Sequence, residues 1–482
     1  MTAGIDDLEI ISFERPADAP VAQLLNEGIS RAKHDIVVFV HDDIEFDNTG
    51  WAKLLYERFL SSNFGILGVS GTTHLDSNGG WLKDTRKAAG RVGFYSNNER
   101  FEIRYSSIFQ NNVLAVCCIE GAFFACHKKR IVHRFDERYP GKEFYDIDFS
   151  FANHIAGVPT GVMFDVSITH LAVAEKKGED WKQHRNIFLN KFISDAEGKP
   201  ILSYDLKPEI IIGLAASVPA RQPKVEVIIP NKDNVQLLES CIRSILGKSS
   251  YSNLKITVAD TGSDQSNFSQ IKELCQREKL KLVEFSSYHF AKTNNDVVKD
   301  YLDSDTELLL FCNNDIELIN DAISALVATY LANEKSCGTV GARLHFADNS
   351  VQHFGIELVG ARKQDGSIDV SVMHKGYGSS YGYALEDDTD VAGNTAAFML
   401  ISRELFTEIG MFNEAYKECM EDLELNLQCI LHGRKNITVA NAVAYHYESQ
   451  TRENTGHILP DDFLRVIDVI RQNIQLHSYI RV

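Results

Sequence analysis

Long apolar runs are missing from this chain. Nothing in its 482 residues approaches the ~18 consecutive apolar positions of a membrane-spanning helix, and Met1 to Glu9 lacks the basic and apolar regions of a secretion signal. Any membrane contact is therefore expected to be peripheral. Positive charge is scarce as well: 49 Lys and Arg stand against 67 Asp and Glu, for a net charge of −18 with no basic tail. That balance argues against a nucleic-acid partner, although an anionic nucleotide stays open if a divalent cation lies between. The nine cysteines show no CxxC or Cys/His zinc spacing, and only Cys117 and Cys118 are close. Reduced thiols and a cytoplasmic location follow as expectations, which makes the Asn-x-Ser/Thr triplets at Asn267 and Asn436 accidental. Also absent is a glycine-rich, Lys- or Arg-bearing phosphate loop after the first strand, which disfavours a nucleotidyltransferase.

What the chain does have is an acidic phrase written twice. His41-Asp42-Asp43-Ile44-Glu45-Phe46 follows the apolar run Ile36 to Val40, and Asn313-Asn314-Asp315-Ile316-Glu317-Leu318 follows Leu308 to Cys312. The echo continues in register. Phe135-Asp136-Glu137-Arg138-Tyr139 returns as Phe412-Asn413-Glu414-Ala415-Tyr416, Tyr145-Asp146 returns as Glu421-Asp422, and His170 returns as His446. The offsets are 315 − 43 = 272, 422 − 146 = 276 and 446 − 170 = 276. Two copies of one domain, each with a carboxylate, a second carboxylate and a histidine in the same order, account for this.

Apolar runs alternate with helical periodicity in both copies, an α/β pattern. Residues 1–200 form the first copy, with strands expected at Leu8 to Phe13, Ile36 to Val40, Ile66 to Val69 and Val113 to Cys118. Residues 201–223, carrying Pro208, Pro219 and Pro223, are expected as linker, and residues 224–482 form the second copy. Strand, helix, strand, helix from Val225 onward describes a mostly parallel, Rossmann-like sheet, in which ligands gather beyond the carboxyl ends of strands. Pro230, Asp260 and Asp315 fall at those ends. Leu8 to Phe13 aligns with Lys281 to Phe285, so the first copy lacks a counterpart of Val225 to Ser263 and is short by roughly one strand-helix-strand unit.

An Asp after a strand is commonly a turn or cap residue. Its recurrence with a second carboxylate and a histidine points instead to a hard divalent cation, Mg²⁺ or Mn²⁺, shared with a diphosphate. Residues 224 to about 452 resemble a family 2 glycosyltransferase of the GT-A fold, of the kind that builds bacterial capsule and O-antigen polysaccharides. The stretches that carry the resemblance are Val227 to Asp233, Ala259-Asp260-Thr261-Gly262-Ser263, His289 to Asn295, Asn313-Asn314-Asp315, Asp348 to Gly355, Phe398 to Phe406, Glu421-Asp422 and His446-Tyr447-Glu448-Ser449.

This resemblance implies an inverting transferase using a UDP-, dTDP- or GDP-linked sugar and a glycan or lipid-linked glycan acceptor. Asp422 would be the general base with Glu421 beside it, and Asp315 and His446 would face the metal. Pro230, Asn231, Asp233, Asp260, Gly262, Lys292 and Asn314 would line the nucleotide-sugar site. Two departures stand out: only the last position of Asn-Asn-Asp can ionise, and Thr395-Ala396-Ala397 replaces the usual Thr-Gly-Ala.

The first copy resembles divergent domains of the same superfamily whose metal motif begins with His. There Asp43 and His170 take the metal positions, Asp146 takes the base position, and Tyr145 replaces the Glu. Either both copies are catalytic or the first is a retained scaffold, and a glycan-binding protein built on two inactive folds is the reading from another class. Three weaker signals remain. Gly376 to Gly382 is a candidate loop over the acceptor, Lys176 to Trp181 a candidate lid, and Asp461 to Ile480 an amphipathic helix expected to pack between the domains.

Overall fold

The computed structural model describes residues 3–14, 20–76, 79–80, 87–96, 99–104, 113–171, 179–192, 204–206, 210, 218–362, 368–379, 388–417, 419–447 and 460–481. The chain divides into two compact units that meet in sequence near residue 210.

In unit 1 the main elements are α1 (Val21–Arg31), β1 (Ile36–Val40), β2 (Ile44–Phe46), α2 (Trp51–Ser61), β3 (Ile66–Gly68), β4 (Phe123–His127), α3 (Tyr145–Ile155), β5 (Thr160–Met163) and β6 (Ile168–His170). β1 pairs with β4 antiparallel, β4 with β3 antiparallel and β3 with β5 parallel. Short β6 leaves that sheet to pair with β2, setting His170 opposite Ile44. Aromatic packing holds α3 to the sheet: Phe39 lies 4.8 Å from Phe124 and 5.1 Å from Phe135, and Phe135 stacks on Phe149 at 4.1 Å.

Unit 2 opens with β7 (Val225–Asn231), α4 (Val235–Lys248), β8 (Leu254–Asp260), α5 (Gln265–Glu278), β9 (Lys281–Glu284), α6 (Phe290–Asp300), β10 (Leu308–Cys312) and β11 (Ile316–Leu318). It continues with α7 (Ala322–Asn333), β12 (Cys337–His345), β13 (Phe398–Ser402), α8 (Glu421–Leu431), β14 (Lys435–His446) and α9 (Pro460–Gln472). The order β9-β8-β7-β10-β13-β12-β14-β11 runs through a ten-stranded sheet. Both of its faces are covered, which is why β10 and Val227 to Pro230 of β7 are apolar without alternation. Val225, Val227, Ile229, Leu308, Leu310 and Cys312 feed one core, while Ile228, Leu309 and Phe311 feed the core on the other face.

Pairing in β7, β8, β9 and β10 is parallel, as strand-helix-strand connections require. Beyond β10 the sheet is mixed, and unit 1, which lacks that opening, has among its described residues only the β3–β5 pair and the pair of β6 with Ala88–Ser96 in parallel. The expected strand at Leu8 to Phe13 does not form. Among the described residues no neighbouring strand supplies its hydrogen bonds, and Ile10 is 83% exposed.

Val113 to Cys118 splits into strands at Val113–Ala115 and Cys118–Ile119. Tyr204–Asp205, expected as linker, pairs with His74–Leu75. The closing helix packs against its own unit. Val466, Ile467 and Ile470 of α9 join Leu423 and Leu427 of α8 in one apolar cluster, because α8 presents them a matching stripe. Lys176 to Gly178 and residues 380–382 lie outside the described residues; Glu179 to Trp181 open the helix Glu179–Phe192.

Candidate active site

The two units build the same corner by the same means. In each, a chain leaving a strand of the main sheet turns through an aspartate before a three-residue strand, and the returning strand brings a histidine alongside. His446 pairs in register with Ile316 and His170 with Ile44. The aspartate carbonyls accept backbone N–H bonds one residue past each histidine, from Tyr447 to Asp315 at 3.0 Å and from Leu171 to Asp43 at 2.9 Å.

The side chains repeat this match. Asp315 Oδ1 faces His446 Nε2 at 3.3 Å, and Asp43 Oδ1 faces His170 Nε2 at 3.3 Å. Both Oδ1 atoms are buried and accept no hydrogen bond among the described residues. A buried carboxylate oxygen left without a donor is costly, and its recurrence at one position in two domains is an arrangement a divalent cation would satisfy. In unit 2 the tautomer is fixed as a metal ligand requires: Gln352 Oε1 lies 2.6 Å from His446 Nδ1, and the Asn313 amide lies 3.3 Å from Nε2. Carboxylate plus imidazole suits Mn²⁺ and tolerates Mg²⁺.

Unit 1 adds a third group. His41, where unit 2 has Asn313, joins Asp43 and His170 in a cluster whose ligand atoms all lie within 4.8 Å of one another. Its Nε2 lies 3.0 Å from the hydroxyl of Tyr145, and burial lowers its pKa below the ordinary histidine value. Sequence reading noted that the motif begins with His but did not count His41 as a ligand; its place opposite Asn313 was the available signal.

The second carboxylate sits at a helix N-terminus in both units. α3 and α8 each begin one residue before it, after a residue forced into the left-handed region: Phe144 at φ 63° and Met420 at φ 75°. A non-glycine residue there is strained, and the same strain at equivalent positions aims the first turn. Asp422 Oδ2 accepts from the Ala396 N–H at 3.1 Å and Oδ1 from the Leu423 N–H at 2.7 Å. Asp146 is bound likewise by backbone N–H groups of Ile147 and Gly121, yet burial outweighs them and pushes its carboxyl up to about 6. Glu120, next to Gly121, is pushed up to about 7 by burial and by the Asp146 carboxylate. Glu120 was not singled out in the sequence. Glu421, the first residue of α8, is buried.

The remaining expected residues gather at the carboxyl ends of β7, β8 and β10, with one exception. Asn231 is paired in register with Asp260, and its Oδ1 accepts from the Asn314 amide at 2.7 Å. Asp233 takes the hydroxyl of Ser263 on its N–H, and Asp260 accepts from the backbone of Gly262 and Ser263 at 3.2 Å. Gly262, at φ 87°, closes this turn with no room for a Cβ, which would stand 2.8 Å from the Ser286 carbonyl. Pro230 is buried in β7 beside them. Lys292 is not brought in; it pairs with Asp296 at 2.8 Å one turn along α6, the geometry that i,i+4 spacing favours. Unit 1 has no counterpart of these strand ends among its described residues, since its main sheet ends at β1.

Residues 5–192 match the glycosyltransferase-like family, and residues 226–410 match glycosyl transferase family 2. The chain is 30% identical over 268 residues to the uncharacterized protein y4gI of Sinorhizobium fredii, covering 53% of this chain and 28% of that protein. It is 28% identical over 232 residues to the O-antigen biosynthesis protein RfbC of Myxococcus xanthus, covering 48% of this chain and 18% of that protein. It thus spans less than a third of the length of either relative. The mannosyltransferase PcManGT from Pyrobaculum calidifontis in complex with GDP-Man and Mn²⁺ is similar at 16% identity and a TM-score of 0.35, over 49% of this chain and 61% of that one. That last likeness is too distant to support an argument. The two family matches, falling on the two units, make the chain a tandem of glycosyltransferase domains, the first of the glycosyltransferase-like family and the second of family 2.

Proposed function

We propose that the chain transfers a glycosyl unit from a nucleotide-diphosphate sugar to a growing bacterial surface glycan, with inversion at the anomeric carbon. The observation that carries this is the paired arrangement in unit 2. A buried carboxylate oxygen without a donor, on Asp315, faces a histidine whose ligating nitrogen is preset, and a second carboxylate, Asp422, stands oriented by two backbone N–H groups. A surface-glycan acceptor is supported by the likeness to an O-antigen biosynthesis protein.

Asp315 and His446 would hold Mn²⁺ or Mg²⁺, and in unit 1 Asp43, His170 and His41 would do so. When bound, the cation supplies positive charge against the leaving diphosphate. Asp422 takes the proton from the acceptor hydroxyl, a step in which a positioned base contributes about 10²- to 10⁴-fold. Its fixed orientation matters because a base acts only within hydrogen-bond reach of that proton. Base and leaving group on opposite sides of the sugar give inversion. Asn231, Asp260 and Asn314 bind the nucleotide side of the donor at the strand ends. We place the activity in the cytoplasm, at most peripheral to a membrane. All nine cysteines are unpaired, and no helix among the described residues is long and apolar enough to cross one.

A second reading is that unit 2 alone turns over donor. It is favoured by the absence of any strand beyond β1 among the described residues of unit 1. Transfer and hydrolysis across UDP-, dTDP- and GDP-sugars with Mn²⁺ separate the two readings. Asp315→Ala and Asp422→Asn are expected to abolish at least one donor activity. If Asp43→Ala removes a different one, the chain is bifunctional; if it removes none, unit 2 acts alone. No turnover of any donor with acceptor present would refute the transferase reading.

A further inference from the structure

Two side chains adjacent in sequence reach the two halves of the unit 2 site. Gln352 and His353 lie on the short strand Val351–His353, which pairs with the end of β12. Neighbouring residues of a strand point to opposite faces, so the two part in different directions. Gln352 donates its amide to the His446 carbonyl at 3.2 Å, and its Oε1 lies 2.6 Å from His446 Nδ1. His353 accepts the Thr395 N–H on Nε2 at 3.4 Å. The next N–H along, that of Ala396, is the one that Asp422 Oδ2 accepts.

The ring of His353 has one tautomer open to it. A backbone N–H can only donate, so Nε2 is the acceptor and Nδ1 carries the proton. That nitrogen lies 3.0 Å from Nδ1 of His374, which therefore accepts and keeps its own proton on Nε2. His353 is 1% exposed, and burial holds its pKa well below the ordinary histidine value, an effect to which charge on His374 or His446 would add. The ring stays neutral, as the two bonds require.

Unit 1 shows what the same peptide needs for structure alone. The Gly121 N–H binds Asp146, and the N–H before it, that of Glu120, goes to the Ser70 carbonyl at 2.9 Å. A main-chain acceptor is sufficient there. Unit 2 uses a fully buried imidazole for that bond, with a second histidine behind it, although a buried polar ring is tolerated only when both of its nitrogens are satisfied.

We propose that His353 is a positioning residue for the transfer reaction of unit 2: it holds the Thr395–Ala396 peptide where the Ala396 N–H orients Asp422, and His374 fixes its tautomer. Gln352 orients His446 from the adjacent position, so this dipeptide ties His446 and Asp422 to a single strand. The proposal rests on the transferase reading, in which Asp422 is the base. A displacement of about 1 Å in a reacting group can lower the rate about 100-fold, which makes the placement of that peptide matter.

The test compares His353→Leu, His353→Gln and His374→Leu in the donor turnover that Asp422→Asn abolishes, with imidazole ¹⁵N spectra read alongside. Leucine removes the acceptor, whereas glutamine returns an oxygen near the place of Nε2. His353→Leu is expected to lower kcat about 100-fold with KM for the donor unchanged. His353→Gln should recover most of that loss. His374 is exposed, so its replacement spares the core. His374→Leu should lower kcat about tenfold, a small part of what a positioned base contributes. Wild-type spectra should show His353 protonated on Nδ1 and His374 on Nε2, and His374→Leu should turn the His353 signal into a mixture of tautomers. Full kcat in a soluble His353→Leu protein overturns the proposal, as does a wild-type His353 protonated on Nε2. A joint change of kcat and KM that glutamine does not reverse overturns it too, since a purely structural role would give that result. Where His353→Leu is insoluble, an unchanged kcat in His374→Leu overturns it. Wild-type protein that turns over no donor removes the transferase reading and this proposal together, whereas turnover indifferent to His353 removes the proposal alone.

Discussion

Gln352 holds His446 from behind: its Oε1 lies 2.6 Å from Nδ1, which turns Nε2 toward Asp315. Partners of this kind set the tautomer and the ring plane of a metal-binding histidine, and their loss typically weakens the metal 10- to 100-fold. Gln352→Ala should weaken Mn²⁺ binding in unit 2 by about that factor. Manganese titration followed by electron paramagnetic resonance measures it directly. Unchanged affinity would mean that the histidine is oriented by its backbone alone.

The three-residue cluster of unit 1 predicts that its site binds a cation more tightly than that of unit 2. Unit 2 offers two candidate ligands, Asp315 and His446, whereas unit 1 offers three, His41, Asp43 and His170. Wild-type protein should therefore show two classes of Mn²⁺ site, the tighter in unit 1. His41→Asn, which restores the residue of unit 2, should weaken the tighter class by about tenfold or more, the scale on which even outer partners act. If His41→Asn leaves both classes as they were, His41 belongs to the Tyr145 hydrogen bond only.

Glu120 and Asp146 make unit 1 sensitive to pH. Burial raises both, to about 7 and about 6, so the folded state holds their protons more tightly than the unfolded state does. Their stabilising contribution is complete below the ordinary carboxylate range and is lost as pH rises through those two values. For Glu120 the loss amounts to about 3 kcal/mol at most. Hydrogen-exchange protection factors within Tyr145–Ile155, taken against the intrinsic rate at each pH in chelator, should fall between about pH 5 and about pH 8, and Glu120→Gln should flatten that dependence. The base role acts in the reverse sense: any transfer by unit 1 should rise as Asp146 deprotonates near pH 6.

Much of this site was legible in the sequence because the repeat made each weak signal testify for the other. Asp43 with Asp315, Asp146 with Asp422 and His170 with His446 all came from matched offsets, and each pair occupies matching geometry. Residues that differ between the copies were harder to see. His41 stands opposite an asparagine and Glu120 opposite Thr395, so no repetition flagged them. Gln352 lies within Asp348 to Gly355, which carries the family resemblance, but its task depends on a strand pairing that periodicity does not encode. The missing strand at Leu8 to Phe13 has a different cause: its sequence suits a strand, and what it lacks is a neighbour.

One buried side chain couples the base helix to the sheet in each unit, with unequal strength. Asn426 accepts the Asn394 N–H at 3.0 Å and donates to the Asp422 carbonyl at 2.7 Å and the Asn394 carbonyl at 2.8 Å. At the matching position Ser150 accepts the Ile119 N–H at 3.0 Å and donates to the Asp146 carbonyl at 2.7 Å. Asn426 also accepts from the hydroxyl of Thr339, inside a fully buried network with Asn436 and Asn394. Truncation to alanine leaves several of these groups without partners, each costing about 1–3 kcal/mol. Asn426→Ala should therefore destabilise unit 2 by several times the effect of Ser150→Ala on unit 1, and it should loosen the first turn that carries Asp422. Denaturant unfolding gives the first comparison. For the second, a soluble Asn426→Ala protein should lose kcat while keeping its affinity for donor, because the strand ends with Asn231 and Asp260 do not touch this network. Equal losses at the two positions would show that the shared pair of bonds to the helix, and not the wider network, does the holding.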